Sequence, residues 1–546
     1  MSKIKDKAIL EKFEELYKKT GLWPIAENSG PYVTRTVDAL FKRKGDRTFK
    51  RVKSVYMQWL SSRVEEPLPE PPVLQGTIEP LEDVRMVAVA KTFILTCAQA
   101  NTILHDKFWD TLQHIVNAKG AELHISRFTY NKQTHGKNSV KPGTEDADDG
   151  LWFDPRIEPY VSDSSLELAP DLVWCGELNI LPTRANPITG FEAYGRGKSV
   201  IIPHTRMAMK TVPTMKTDQD RFCYSTGTVT ARNYIEKAAG QKASLHHVYG
   251  ALLVEVDDNG VWWARQLNSD NNGHVYDLDT LYTPEGIDPA RQRAKVITHG
   301  DIHGNKVDPA AILVAIDVVD FLRPENQVFH DTVDFQPRNH HNIDDPQHLY
   351  RMHIEDTESV EEEFEVVGKM LAENFDGCSS NNWIITSNHD QAIEGWLRNT
   401  SAFYDSVNVK LWLELNLGVF KAIQMGEKPR PFAWLMQDYL PIEGWCIVHE
   451  DESLKIAGIE HGLHGHLGPN GARGTPANLR VAGKANTAHT HTAGIIDGVY
   501  TAGVYGKLDM GYNKGQSSWT PSCIVTYPNG KRTILTFKAG KAWRDK

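Results

Sequence analysis

The chain is poor in cysteine and has no long apolar run. Its six cysteines, Cys97, Cys175, Cys223, Cys378, Cys446 and Cys523, stand singly with no C-x-x-C pair. That pattern excludes a cysteine zinc site of ordinary spacing and a dense disulfide framework, and it predicts buried free thiols. No segment reaches the roughly 18 uninterrupted apolar residues that a membrane-spanning helix needs, so no membrane partner is expected. The opening "MSKIKDKAILEKFEEL" lacks the apolar core of a secretory signal, and the expected location is the cytoplasm. The stretch "YSTGTVTARNY" lacks the lysine and glycine spacing of a phosphate loop.

What is present is ordinary in bulk and uneven in detail. With 546 residues, 40% of them hydrophobic and 24% charged, the chain is a globular one too long for a single core. The net charge of −10 hides a basic start: residues 1–63 hold 15 Lys and Arg against 7 Asp and Glu. Three short helical patterns lie there, resembling a helix-turn-helix module, with Lys42, Arg43, Lys44, Lys50, Arg51 and Lys53 available to phosphates. A Pro- and Glu-rich stretch, 64–76, reads as a stiff linker.

Residues 77–290 read as an α/β domain of unassigned role. "VAVAKTFILTCAQ", "DKFWDTLQHIVNAKG" and "AELHISRFTY" form a strand-helix-strand unit, with Gly120 closing the helix, and "DDNG" joins two later strands as a hairpin. His246 and His247 are read as structural. The last domain, 291–546, alternates strands with helices, and the charged run "ESVEEEFE" reads as a solvated helix face. Asp308 and Pro309 mark a helix start, and "IVTYPNGKRTILTF" is a hairpin turning at Asn529-Gly530.

Fourteen of the 22 histidines lie between 299 and 491. Here successive strands end in polar tips: Asp301 and His303 in "THGDIHGN", Asp331 in "FHDTVDF", Asn388 and His389 in "SNHD", a cluster of His461, His464 and His466, and His489 and His491 in "AHTHTAG". Alternating acid and imidazole is costly to bury unless a cation compensates it. Carboxylate, imidazole and amide oxygen together suit Mn²⁺, Fe²⁺ or Zn²⁺, and there are enough ligands for two ions.

This order of D-x-H, Asp, N-H-D, a lone His and H-x-H resembles the calcineurin-like metallophosphoesterase superfamily over roughly 291–510. The resemblance implies an α/β chain whose C-terminal domain is a metallophosphoesterase sandwich, two β-sheets flanked by helices. It also implies that Asp301, His303 and His491 hold one ion, Asn388, His489 and one histidine of the cluster hold a second, and Asp331 bridges them. His464 is preferred within the cluster because "KIAGIEHGLH" reads as a strand ending there; His461 and His466 are the alternatives. His389 takes the catalytic role beside the leaving oxygen, with Asp390 orienting it or capping the turn. His299 and His330 read as supporting residues. In the Gly-rich "HLGPNGARG", Asn470 and Arg473 are candidates for substrate binding.

Departures from the family pattern narrow the subclass. His330 and Ser387 stand where glycine is usual, and the arginine signatures of Ser/Thr phosphatases are missing, which favours a diesterase. The whole chain resembles the early host-DNA-degrading DNases of certain tailed phages. That resemblance implies a Mn²⁺-dependent nuclease (Mg²⁺, Fe²⁺ and Zn²⁺ being the other metals), acting on DNA in the host cytoplasm as a homo-oligomer. The alternatives are a small-molecule phosphodiesterase or repair nuclease, and a DNA-binding protein with a structural metal.

Overall fold

A computed structural model describes residues 85–86 and 92–544, apart from 131–139, 143–150, 340–341, 377–379, 442 and 480–482. The chain divides into two units, Met1–Glu82 and Asp83–Lys546. The expected helical module 1–63, its basic residues and the linker 64–76 lie outside the described residues, as does Cys378.

Its elements follow the local sequence. The expected strand-helix-strand unit is present as β1 (Thr92–Gln99), α1 (Asp106–Lys119) and β2 (Glu122–Phe128), with β1 and β2 parallel. Gly120 ends α1 in the left-handed conformation, φ 54°, which glycine adopts at little cost. Next come β3 (Met209–Val212), then β4 (Gly250–Val256) and β5 (Trp262–Asn268), an antiparallel pair joined at Asp257–Gly260. β6 (Val296–Thr298) leads to α2 (Pro309–Leu322), where the Asp308 side chain accepts from the Ala310 N–H and Pro309 occupies the first turn.

β7 (Asn326–His330), α3 (Val360–Phe375), β8 (Asn381–Ile385) and β9 (Trp445–Val448) complete a parallel array. β10 (Ala485–Thr487), β11 (Gly494–Ile496) and β12 (Val499–Thr501) follow, and the chain closes on the hairpin β13 (Ser522–Thr526) and β14 (Arg532–Thr536).

Among the described residues one sheet has six strands, in the order β9-β8-β7-β6-β13-β14, and another has four, β5-β4-β1-β2. The two meet through Gln266, which accepts from the Ile534 N–H at 2.8 Å while its own N–H reaches Thr533 Oγ1 at 3.0 Å. An eleven-stranded sheet, in which β3, β11, β12 and β10 are consecutive, packs against both. Strand alternation sorts the layers: Ile524 faces that sheet, while Cys523 and Val525 face the cluster formed with α2 and α3.

The expected domain boundary lies at 290/291. β3 pairs with β11, matching Met209 to Ile495, so strands from both sides of that position share one sheet. A strand pattern reports local burial and carries no trace of which distant strand completes the ladder. The thiol expectation needs one correction. Cys97, Cys175, Cys223 and Cys523 are buried free thiols, whereas Cys446 is exposed on the edge strand β9. No described helix is long and apolar enough to cross a membrane.

Candidate metal centre

The polar tips seen in the sequence gather where the carboxyl ends of β6, β7 and β8 meet the loops after β10 and Ile459–Glu460. Beyond β6 and β7 the two chains stay paired. The N–H groups of Ile302, His303 and Gly304 donate to the carbonyls of His330, Asp331 and Thr332 at 3.1, 2.7 and 3.0 Å. This lacing fixes Asp301 and His303 beside Asp331 without help from their side chains. Four residues of the group are left-handed without being glycine: His303 (φ 61°), Asp331 (45°), His489 (70°) and His491 (57°). Such strain, about 1–3 kcal/mol per residue, clusters at sites where side-chain direction matters more than backbone comfort.

The side chains of this group converge. Donor atoms of Asp301, His303, Asp331 and His491 all lie within 4.8 Å of one another, and all four residues are buried. His303 Nε2 is 2.7 Å from His491 Nε2 and 3.7 Å from Asp331 Oδ2, and His491 Nε2 is 3.4 Å from Asp301 Oδ2. On the other side of Asp331, His464 Nε2 lies 3.4 Å from Asp331 Oδ2 and 3.1 Å from Asn388 Oδ1. The ring of His489 is centred 5.1 Å from that of His464.

These residues fit a cation. The carboxylate oxygens of Asp301 and Asp331 are buried without a hydrogen-bond partner, an arrangement that is expensive unless a metal supplies the missing interaction. Burial and the neighbouring Asp331 charge push the Asp301 carboxyl well up. For Asp331 burial acts the same way, yet the imidazoles of His464 and His389 hold it well below the usual carboxylate range. A divalent ion would relieve both conflicts.

Within the histidine cluster, His464 reaches Asp331. His461 instead turns its Nδ1 to Thr298 Oγ1 at 3.3 Å and to Asn486 Nδ2 at 3.5 Å. The His466 ring is centred 5.3 Å from His464 and 6.0 Å from His489. The strand expected at "KIAGIEHGLH" is a small hairpin, Lys455–Ile456 with Ile459–Glu460, so His464 stands in the loop beyond it. Ala457 and Gly458 break the run with positive φ, 51° and 73°.

His299 is a packing residue, stacked on Phe329 at 4.5 Å with Nε2 3.1 Å from Gln327 Oε1. His330 packs beside His464, ring centres 5.5 Å apart.

The role suggested for Asp390 divides. Its carboxylate accepts from Thr332 Oγ1 at 3.0 Å, Ser387 N at 3.0 Å and Val333 N at 3.3 Å, so it caps the turn. His389 is oriented by Asp334, whose Oδ1 is 3.0 Å from His389 Nδ1 and also 3.1 Å from His303 Nδ1. Burial lowers the His389 pKa, but the charges of Asp331 and Asp334 overcome this and raise it to about 10. Asp334 was missed in the sequence reading, although "HDTVD" repeats its acid three positions on.

Glu363 was missed too, and corrects the reading of "ESVEEEFE" as a purely solvated face. Its neighbours Glu361 and Glu362 are exposed, but Glu363 is 1% exposed and accepts the N–H groups of Asp334 and Phe335 at 3.0 and 2.9 Å. Burial and the Asp334 charge raise its pKa to about 8. A Cβ on Gly304 would lie 2.9 Å from Glu363 Oε1, which accounts for glycine after His303.

Asn470 and Arg473 lie on the exposed 466–474 loop, Asn470 with φ 58°. Arg473 is near enough for its charge to help burial depress the His489 pKa, to about 4. Among the described residues no other contact ties these two to the centre.

Over 486 residues the chain is 37% identical to Protein A1 of Escherichia phage T5, the match covering 86% of this chain and 85% of that protein. No protein-family model matches the chain. No solved structure matches it.

Proposed function

This chain belongs to the family of Protein A1 of Escherichia phage T5, and from that premise we propose that it is a two-metal phosphodiesterase that degrades DNA in the host cytoplasm. The observation that carries the reading is the convergence of Asp301, His303, Asp331 and His491 on one side, and of Asn388, His464 and His489 on the other, with Asp331 between them. In this reading the C-terminal part is a metallophosphoesterase sandwich.

Asp301, His303 and His491 would hold one ion, Asn388, His464 and His489 the other, and Asp331 both. Their nitrogen and oxygen donors favour Mn²⁺, with Mg²⁺, Fe²⁺ and Zn²⁺ as the competing metals. When bound, the pair would supply an activated water and a clamp for phosphoryl charge. The rest falls to the chain. Asp331 offsets cationic charge, and its loop is locked to that of Asp301 before any ion arrives. Asp334 holds His389 through Nδ1, which leaves Nε2 to donate a proton to the departing oxygen. Arg473 and Asn470 would meet the strand outside the centre.

Binding of DNA by the basic residues of 1–63 would add affinity that is independent of sequence and falls with salt. A homo-oligomer remains part of the reading through the phage-nuclease resemblance. The test is digestion of plasmid DNA with Mn²⁺ by the unmodified chain and by His389→Ala. The reading expects cleavage by the first and severe loss in the second. An intact plasmid in both cases overturns it, and cleavage confined to a cyclic nucleotide would instead favour a small-molecule phosphodiesterase.

A further inference from the structure

A second concavity lies directly beside the centre. Thr490 and Thr492, which flank His491, line a cavity of about 510 Å³ whose other walls come from residues 185–189 and from the paired strands β3 and β11. Its lining is chiefly apolar, with Ile188, Met207, Met209 and Ile495 all buried. Polar groups stand among these walls: the Asn186 amide, the Arg206 guanidinium, Lys210 and the two threonine hydroxyls. Arg206 keeps the cavity in shape, since its Nη1 donates to Ala185 O at 3.2 Å and to Asp497 Oδ1 at 2.8 Å, joining the 185–189 loop to the end of β11.

We infer that this cavity is a nucleoside subsite, receiving a base of the DNA strand whose phosphodiester lies at the metal centre. The inference deepens the phosphodiesterase reading and rests on it. The volume suits one small ligand and is too small for a folded segment. Methionine and isoleucine walls offer adaptable apolar contact to a flat ring, and the Asn186 amide and the Thr490 hydroxyl can meet base edges of either polarity. Continuity with the centre runs through a single segment, His489 to Thr492, and the inference places the base next to the cleaved phosphodiester on the Thr490 and Thr492 side of that segment. Enzymes that do chemistry on a base turn it out of the stack into a pocket, and this cavity would receive an unstacked base in the same way. The region between 77 and 290 thereby acquires a role, because β3 and the 185–189 loop form half of the walls.

The test uses the full chain in chelator with thymidine, which has no phosphate, and follows binding by calorimetry or NMR. Ile496→Trp and Thr189→Trp project an indole into the cavity from exposed positions outside the catalytic group, and Leu245→Ala, at an exposed apolar position that does not line the cavity, is the control. Expected are saturable binding by the unmodified chain, at least tenfold weaker binding in both tryptophan variants with unchanged melting temperatures, and less than threefold change in the alanine control. Absence of saturable binding, or equal affinity in all four proteins, overturns the subsite. Hydrolysis of methyl 4-nitrophenyl phosphate with Mn²⁺ reports separately on the parent reading: a chain that binds thymidine in the cavity but leaves this diester intact keeps the subsite and loses the phosphodiesterase assignment.

Discussion

Asp334 Oδ1 lies 3.0 Å from His389 Nδ1 inside the fold, so the imidazole beside the metal centre is aimed by a buried carboxylate that the motif pattern did not include. The same oxygen is 3.1 Å from His303 Nδ1, which ties the aim of His389 to that of a proposed ligand. Asp334→Asn keeps the shape and removes the charge. Its expected effect is a fall in kcat of about 100-fold, the scale of a misdirected general acid, with KM changed less than threefold. Steady-state kinetics on a diester check this. Unaltered kcat would show that Asp334 does not position His389.

Asp390→Asn should behave differently. That carboxylate receives the Thr332 hydroxyl and the N–H groups of Ser387 and Val333, so the loss falls on turn stability, by about 1–3 kcal/mol. Thermal melting measures it. A variant with normal stability but greatly reduced kcat would return Asp390 to the catalytic group.

Glu363 gives a pH dependence whose sign can be stated. Burial and the Asp334 charge raise its pKa to about 8, well above the value of about 4.3 expected in the unfolded chain. Its contribution to stability is therefore complete below about pH 4 and is lost as pH rises through 8, because the unfolded chain ionises first. Glu363→Gln keeps an acceptor for both N–H groups and abolishes this titration. Relative to the unmodified chain, the variant should gain a few kcal/mol between pH 5 and pH 9, read as a widening difference in melting temperature in chelator. A difference that stays constant with pH contradicts the assignment.

Far from the centre, Arg265 is buried with its Nε 2.7 Å from Asp277 Oδ1 and its Nη1 2.6 Å from Glu255 Oε2. Asp277→Ala removes the contacts at Nε and Nη2 and leaves Glu255 alone to pair the buried guanidinium, so it should cost about 3–5 kcal/mol. Denaturant unfolding checks the loss, and a change below about 1 kcal/mol would mean that water reaches the network.

Much of the centre was legible because the ligand types sit at strand ends, where chain order and spacing are local properties. Asp301, His303, Asp331 and His491, which the structure brings together, stand in short motifs that can be read locally. His464 was separable from His461 by expectation, but the reason offered, one continuous strand, gave way to a hairpin turned by Ala457 and Gly458. Asp334 and Glu363 were obscure for a physical reason. A carboxylate that acts by accepting hydrogen bonds from a distant loop has no pattern of its own, and Glu363 hides in a run of exposed acids. The pairing of β3 with β11 was equally invisible, since two short apolar strands hundreds of residues apart give no sign of their register.

Metal content tests the account most directly. After removal of ions with chelator and reloading with Mn²⁺, mass spectrometry of the full chain should give two Mn²⁺ per chain, falling below one in Asp331→Asn and to about one in His464→Ala, with His461→Gln unchanged. No bound metal, or two ions retained in Asp331→Asn, would contradict a binuclear centre bridged by that carboxylate.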